Sequence, residues 1–146
     1  MAIDPLTPHE LRVWHAFKLM GEDVMSRVDR DIVAATGLSG PDFGVLSRLG
    51  YCAKGEMRQQ ALAESIGWDK SRLSHQLTRM KERGLIERRK AGKRVVLVVL
   101  TKHGRERLNA ARPIHAGSVR RNLLARLNEE QIATIVRISN ILGEDD

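Results

Sequence analysis

Lys70, Ser71, Arg72, Ser74, His75 and Arg79 form a run of hydrogen-bond donors interleaved with Leu73, Leu77 and Met80. At 100° per residue the three apolar residues share one helix face. Ser71, His75, Thr78 and Glu82 fall opposite, flanked by Arg72 and Arg79. Donors in this pattern suit recognition of a nucleic acid. Arginine can offer two parallel N–H groups to a guanine edge, while lysine, serine and further arginines hold phosphate oxygens. The first turns of such a helix enter the major groove first. Ser71, Arg72 and His75 are therefore candidates for base edges, and Lys70, Ser74 and Arg79 for phosphates. Lys93 and Arg94 make a second basic point, and arginine gains from the focused potential of a narrow minor groove. The plain alternatives are a solvated helix face and a charged hairpin that only discourages edge pairing.

The elements around these residues decide between the readings. A helix holding Ala61, Leu62 and Ile66 stops at Gly67, where a left-handed residue can reverse the chain tightly. Asp69 caps the next helix, which runs to about Arg83 and ends at Gly84. Two strands follow, Leu85–Arg89 and Arg94–Leu100, the second rich in β-branched residues. Lys90-Ala91-Gly92-Lys93 turns between them. Helix, glycine turn, helix and basic hairpin in this order describe a helix-turn-helix with a β-wing. Charge agrees: from Lys54 to Arg107 there are 15 Lys/Arg against 6 Asp/Glu, and the rest of the chain is slightly acidic.

The 146 residues are 42% hydrophobic and carry a net charge of +7, as fits one globular domain with a polyanionic partner. Only 3% are aromatic, which argues against a stacking platform for single strands. Outside the basic module, Thr7-Pro8-His9-Glu10 opens a long helix that Gly37 ends. Ser39-Gly40-Pro41-Asp42 caps the next, with Phe43, Leu46 and Leu49 facing inward. Thr101 caps a fifth helix with Leu108, Ala111, His115, Val119, Leu123 and Leu127 in its stripe, and Pro113 is expected to kink or break it. Asn128 and Gln131 cap a sixth, with Ile132, Ile135, Ile138 and Leu142 in its apolar set. The expected fold class is mainly α with a small β-wing. A DNA-binding lobe is expected over about 39–101, and terminal dimerisation helices over about 7–36 and 102–143. Their surplus apolar faces imply a second copy of the chain packed about a two-fold axis.

GLSGPDFGVLSRL, LAESIG, SRLSHQLTRMKERGLIERR and RVVLVVLTKHGRERL, in this order and spacing, resemble the MarR (multiple antibiotic resistance regulator) family of transcription factors over nearly the whole chain. The resemblance implies a winged-helix homodimer with interlocked terminal helices, each lobe binding half of a palindromic operator on double-stranded DNA. Most members repress, and many release DNA on binding a small phenolic or anionic ligand. Two departures stand out. The wing loop Arg89–Arg94 is short and lacks the acidic residue that often precedes the wing arginine. Redox-sensing relatives use a cysteine near the first helix, whereas Cys52 lies near the end of the second.

Trp14, His15, Arg48, Tyr51 and His115 are candidates for an effector pocket suited to an aromatic carboxylate, although His115 equally suits a hydrogen-bonded core or interface position. Cys52 is the only cysteine, so it reads as a small packed residue or, alternatively, a thiol sensor. The five histidines offer no metal-ligand spacing with it, and no metal or other cofactor is expected. No phosphate loop or nucleophile elbow appears, so catalytic residues are not expected either. The start MAIDPLTPHEL lacks a signal pattern and no membrane span is evident, which points to the cytoplasm. The function read from the residues is a DNA-binding regulator. A winged-helix module binding RNA or a protein partner is the other reading.

Overall fold

The computed structural model describes residues 4–143. In chain order the elements are α1 (Pro8–Thr36), α2 (Gly40–Tyr51), β1 (Glu56–Arg58), α3 (Gln59–Ile66), α4 (Lys70–Glu82), β2 (Ile86–Lys90), β3 (Val96–Leu100), α5 (Lys102–Asn122) and α6 (Glu129–Gly143), with a short 3-10 turn at Leu124–Arg126 before α6. The fold is mainly helical with one small antiparallel sheet in the order β1-β3-β2, the winged-helix architecture expected from the sequence. Contacts divide the chain into two units. One is residues 31–115; the other joins the stretch up to Arg30 with that from Ala116 onward.

The 31–115 unit owes its elements to local signals. Ser39 and Asp42 form a reciprocal capping box: Asp42 N–H donates to Ser39 Oγ at 3.1 Å and Ser39 N–H donates to the Asp42 carboxylate at 2.9 Å. Gly67, at φ +77°, ends α3 in the left-handed region, and Asp69 caps α4 by accepting the Arg72 N–H at 2.8 Å. Val45, Leu46 and Leu49 of α2 are fully buried with Leu62, Leu73, Leu77, Met80, Ile86, Val98 and Leu108. Gly104 lets α5 start against the sheet, since a Cβ there would collide with the Leu85 carbonyl oxygen. Ile32, Leu38, Leu108 and Ala111 are all buried, which is why this unit extends beyond residues 39–101.

Several local expectations are corrected. β1 was not anticipated; it pairs Glu56 with Val99 and Arg58 with Leu97. β2 and β3 start at Ile86 and Val96, the latter two residues later than the pattern suggested. Arg94 cannot extend β3 because it sits at φ +59°, inside a turn closed by Ala91 N–H donating to the Val95 carbonyl at 2.9 Å. Ala61 is exposed, while Leu62 and Ala63 face the core. Helix α5 continues across Pro113, whose ring removes one backbone donor without ending the helix. It ends at Asn122, so Leu123 and Leu127 lie outside it. The Asn122 amide turns back onto Ser118, bonding its carbonyl and hydroxyl at 3.0 Å each.

The other unit is built from capped helices with little core of its own. The Thr7–Glu10 box opens α1, and Asn128 and Gln131 exchange bonds of 2.8 and 2.9 Å at the start of α6. Among its described residues only Val28 and Ser118 are buried. Trp14 and Phe17 stack at 6.3 Å, and each is about half exposed. Leu11, Met20, Met25, Val136, Ile141 and Leu142 are exposed as well.

Candidate nucleic-acid interface

Helix α4 is held on its inner side and free on its outer side. Leu73, Leu77 and Met80 are fully buried, as expected, and Gln76 is buried with them. Lys70, Ser71, Arg72, His75, Thr78 and Arg79 are exposed, and Ser74 is half-buried. The row opposite the core is therefore a continuous surface of donors. Its orientation is fixed by polar contacts that burial strengthens. Gln76 donates to Asp42 Oδ1 at 2.7 Å, and Arg83 Nη1 donates to Asp42 Oδ2 at 2.7 Å. Arg79 Nη2 in turn donates to Gln76 Oε1 at 2.9 Å. One buried carboxylate on α2 thus anchors both ends of the second half of α4 and reaches one of the expected phosphate contacts.

The wing is tied to the same helix. Arg88 of β2 donates through Nη2 to the Ser74 carbonyl at 2.6 Å and to Thr78 Oγ1 at 3.0 Å. Among the described residues its Nε is buried without a hydrogen-bond partner. Across the sheet, Arg89 pairs with Glu56 at 2.7 Å, an exposed pair that contributes little to stability. At the hairpin tip Lys93 and Arg94 are both exposed. The left-handed backbone of Arg94 is uncommon for a residue with a Cβ.

A cleft of about 230 Å³ joins the two basic points, lined among others by Arg58, Gln59, Gln60, Lys70 and Arg94. It brings Lys70 together with Arg94. Arg58, Gln59 and Gln60 are further donors that sequence reasoning missed. Arg58 occupies the N-cap position of α3 and makes no side-chain cap, so the first N–H groups of α3 carry their positive dipole end into the same region. The run Arg-Gln-Gln at a helix start was the available signal.

A second, open cleft of about 470 Å³ is lined by Phe43, Gly44, Ser47, Arg48, Tyr51, Arg112 and His115. The Phe43 and His115 rings stack at 4.6 Å and 30°. Three of the expected pocket residues, Arg48, Tyr51 and His115, meet here. Trp14 and His15 belong to the other unit and are not in this lining. The Arg48 guanidinium is largely committed to backbone: Nη1 donates to Gly44 O at 3.1 Å, and Nε and Nη2 donate to Ser65 O at 3.3 Å each. Arg112, which the sequence reading did not single out, is the further cation of the cleft. Cys52 closes α2; its N–H donates to Leu49 O and its half-buried thiol faces Arg48 O at 3.6 Å. Among the described residues no group of three or more His, Cys, Asp or Glu is placed to hold a metal ion. No helix among them is long and apolar enough to cross a membrane.

A helix presented for a groove, beside a basic hairpin and on a buried polar anchor, defines the winged helix-turn-helix class of nucleic-acid-binding proteins. Comparison with known proteins sharpens the class. A family model described as a domain of unknown function, DUF7343, matches residues 46–100. No curated protein matches the chain. Among solved structures, the chain is similar to AbsC, a MarR family transcriptional regulator from Streptomyces coelicolor, with 29% identity over 96% of this chain and 95% of that one, at a TM-score of 0.88. It is also similar to Sco3205, a MarR family transcriptional regulator from the same organism solved in complex with DNA. There the identity is 28%, over 97% of this chain and 91% of that one, at a TM-score of 0.90. CouR from Rhodococcus jostii RHA1, solved bound to p-coumaroyl-CoA, shares the fold at 20% identity, covering 92% of this chain and 94% of that one, with a TM-score of 0.76. The chain thus has the fold of MarR family transcriptional regulators and is similar to two of them over nearly its whole length.

Proposed function

We propose that this chain is a sequence-specific DNA-binding regulator, acting in the cytoplasm as a homodimer on a palindromic operator and repressing the genes beside it. The observation that carries the reading is the outer face of α4. Lys70, Ser71, Arg72, His75 and Arg79 are exposed there, while Leu73, Gln76, Leu77 and Met80 lock the opposite face. Ser71, Arg72 and His75 meet base edges. Lys70, Ser74 and Arg79 meet phosphates, with Ser74 limited to its hydroxyl because its carbonyl is taken by Arg88. Lys93 and Arg94 reach the flanking minor groove. The DNA complex of Sco3205 supports this reading. A homodimer is supported by α1 and α6, whose exposed Phe17, Met20, Ile141 and Leu142 would leave a lone chain with an apolar surface of the kind that marks an interface.

The Phe43–His115 cleft supports a small aromatic or anionic effector that releases DNA. It supplies stacked rings together with the Arg112 guanidinium and the His115 imidazole, and CouR, of the same fold, was solved with an aromatic acyl-CoA. Selection of bound fragments from the source genome tests the central reading. Recovery of a small set of palindromic duplexes is expected. Enrichment of no duplex, or recovery of DNA without a shared sequence, would overturn it.

A further inference from the structure

Trp68 is the only aromatic residue between Tyr51 and the end of the chain, and it stands directly before the cap of α4. Its backbone is fixed from both sides. Gly67 turns the chain at φ +77°, the Trp68 N–H donates back to the Ala63 carbonyl at 3.1 Å, and Asp69 begins the next helix. The ring is half-buried, and the Arg72 guanidinium lies over it with its Cζ 4.2 Å from the ring centroid. Arg72 is held in its main chain too, by the 2.8 Å bond from its N–H to Asp69.

The way Arg72 is held differs from that of its neighbours. Arg79 spends a donor on Gln76, Arg83 on Asp42, Arg88 on Ser74 and Thr78, and Arg89 on Glu56. Among the described residues no carboxylate pairs with the Arg72 guanidinium. A guanidinium has its five N–H groups in its plane. Stacking on an indole face restrains that plane while using none of them, and a guanine edge is bound through donors in the plane. We infer that Trp68 is a positioning residue for base recognition: it orders Arg72 before DNA arrives and leaves the donor edge free. Trp68 acts through Arg72 and not by touching a base. The inference rests on the proposed DNA reading and names a specificity determinant within it.

Two measurements test it. With Trp14 replaced by Phe, Trp68 is the sole tryptophan, so its emission in the free protein reports the stack. Arg72→Ala should change that emission and Arg79→Ala should not. No response to Arg72→Ala would show that the stack is not populated and would overturn the inference with no DNA present. In the second, affinity is measured at fixed salt on a selected duplex and on a scrambled one. Trp68→Leu should weaken the selected duplex by about three- to tenfold, the range of a partly exposed cation–π contact, and the scrambled one by less than about twofold. Trp68→Phe should recover most of the loss, because it restores a ring, and Trp68→Leu should add nothing in an Arg72→Ala background. Equal losses on both duplexes, or losses that add to those of Arg72→Ala, would make Trp68 a plain structural or backbone-contacting residue. Wild-type protein that fails to distinguish the duplexes would overturn the DNA reading, and with it the base-recognition role, while the emission test would still report on the stack itself.

Discussion

Replacing Asp42 by alanine removes a carboxylate that is 2% exposed and accepts three hydrogen bonds, from Ser39, Gln76 and Arg83. The three losses differ in size. Gln76 is 5% exposed, so its amide is left buried without an acceptor, at about 1–3 kcal/mol. Half of the capping box at α2 disappears, worth about 1 kcal/mol. Arg83 is 45% exposed at its side chain and can turn to water, so its ion pair contributes less than about 1 kcal/mol. Together these give roughly 3 kcal/mol, a large share of the ~5–15 kcal/mol that holds a typical domain. At about 3 °C per kcal/mol for a chain of this size, the melting temperature should fall by about 10 °C. Asp42→Asn keeps an acceptor oxygen for Gln76 and should lose roughly half as much. Urea and thermal unfolding at one protomer concentration measure both variants. A loss below about 0.5 kcal/mol for Asp42→Ala would refute the view that this carboxylate anchors α4, and equal losses for Ala and Asn would refute the hydrogen-bond ranking.

Arg94→Ala should weaken binding to many DNA sequences alike and lower the salt slope by about one per protomer; unchanged affinity and slope, read by fluorescence anisotropy across salt concentrations, would mean the wing tip does not reach DNA. Phe17→Glu should shift the protein towards monomer in sedimentation equilibrium at micromolar concentration and lower its stability, and an intact dimer would move the interface elsewhere. The Glu10 carboxyl accepts the Thr7 N–H and hydroxyl, which favour its charged form and hold its pKa below the usual carboxylate value. Its help to the α1 start is therefore complete above the ordinary glutamate range and is lost as pH falls through the lowered pKa. A carbon-detected NMR titration should show Glu10 moving upward in Thr7→Ala, and coincidence with the other exposed glutamates in wild type would contradict the capping geometry.

What could be read from the residues follows the range of the interactions that matter. Helix α4 was legible because its signals are local: Gly67, Asp69 and the spacing of Leu73, Leu77 and Met80 lie within one short segment. The capping boxes at Thr7, Ser39 and Asn128 were legible for the same reason. β1 was not, since three residues, Glu56–Arg58, carry too little alternation and the strand exists only through its pairing with β3. The end of α5 was misplaced because Leu123 and Leu127 continue a helical spacing that the chain itself abandons at Asn122. At the site, the outward donors followed from periodicity, whereas the anchoring of Arg79 did not: Asp42 and Gln76 are 34 residues apart and meet only in the fold. Arg48 looked like a free cation for a ligand until the fold placed Gly44 and Ser65 carbonyls against it. The left-handed turn at Arg94 left no mark in a residue type that rarely adopts it.

On the proposed reading, two copies of this chain read a two-fold-related site through α4. Hydroxyl-radical footprinting of wild-type protein and Arg72→Ala on a duplex recovered by genomic selection tests it most directly. Two symmetric protected half-sites are expected, with centres about 34 Å apart along the helix, both weakened by Arg72→Ala. A single protected patch, or uniform protection that Arg72→Ala leaves unchanged, would contradict it.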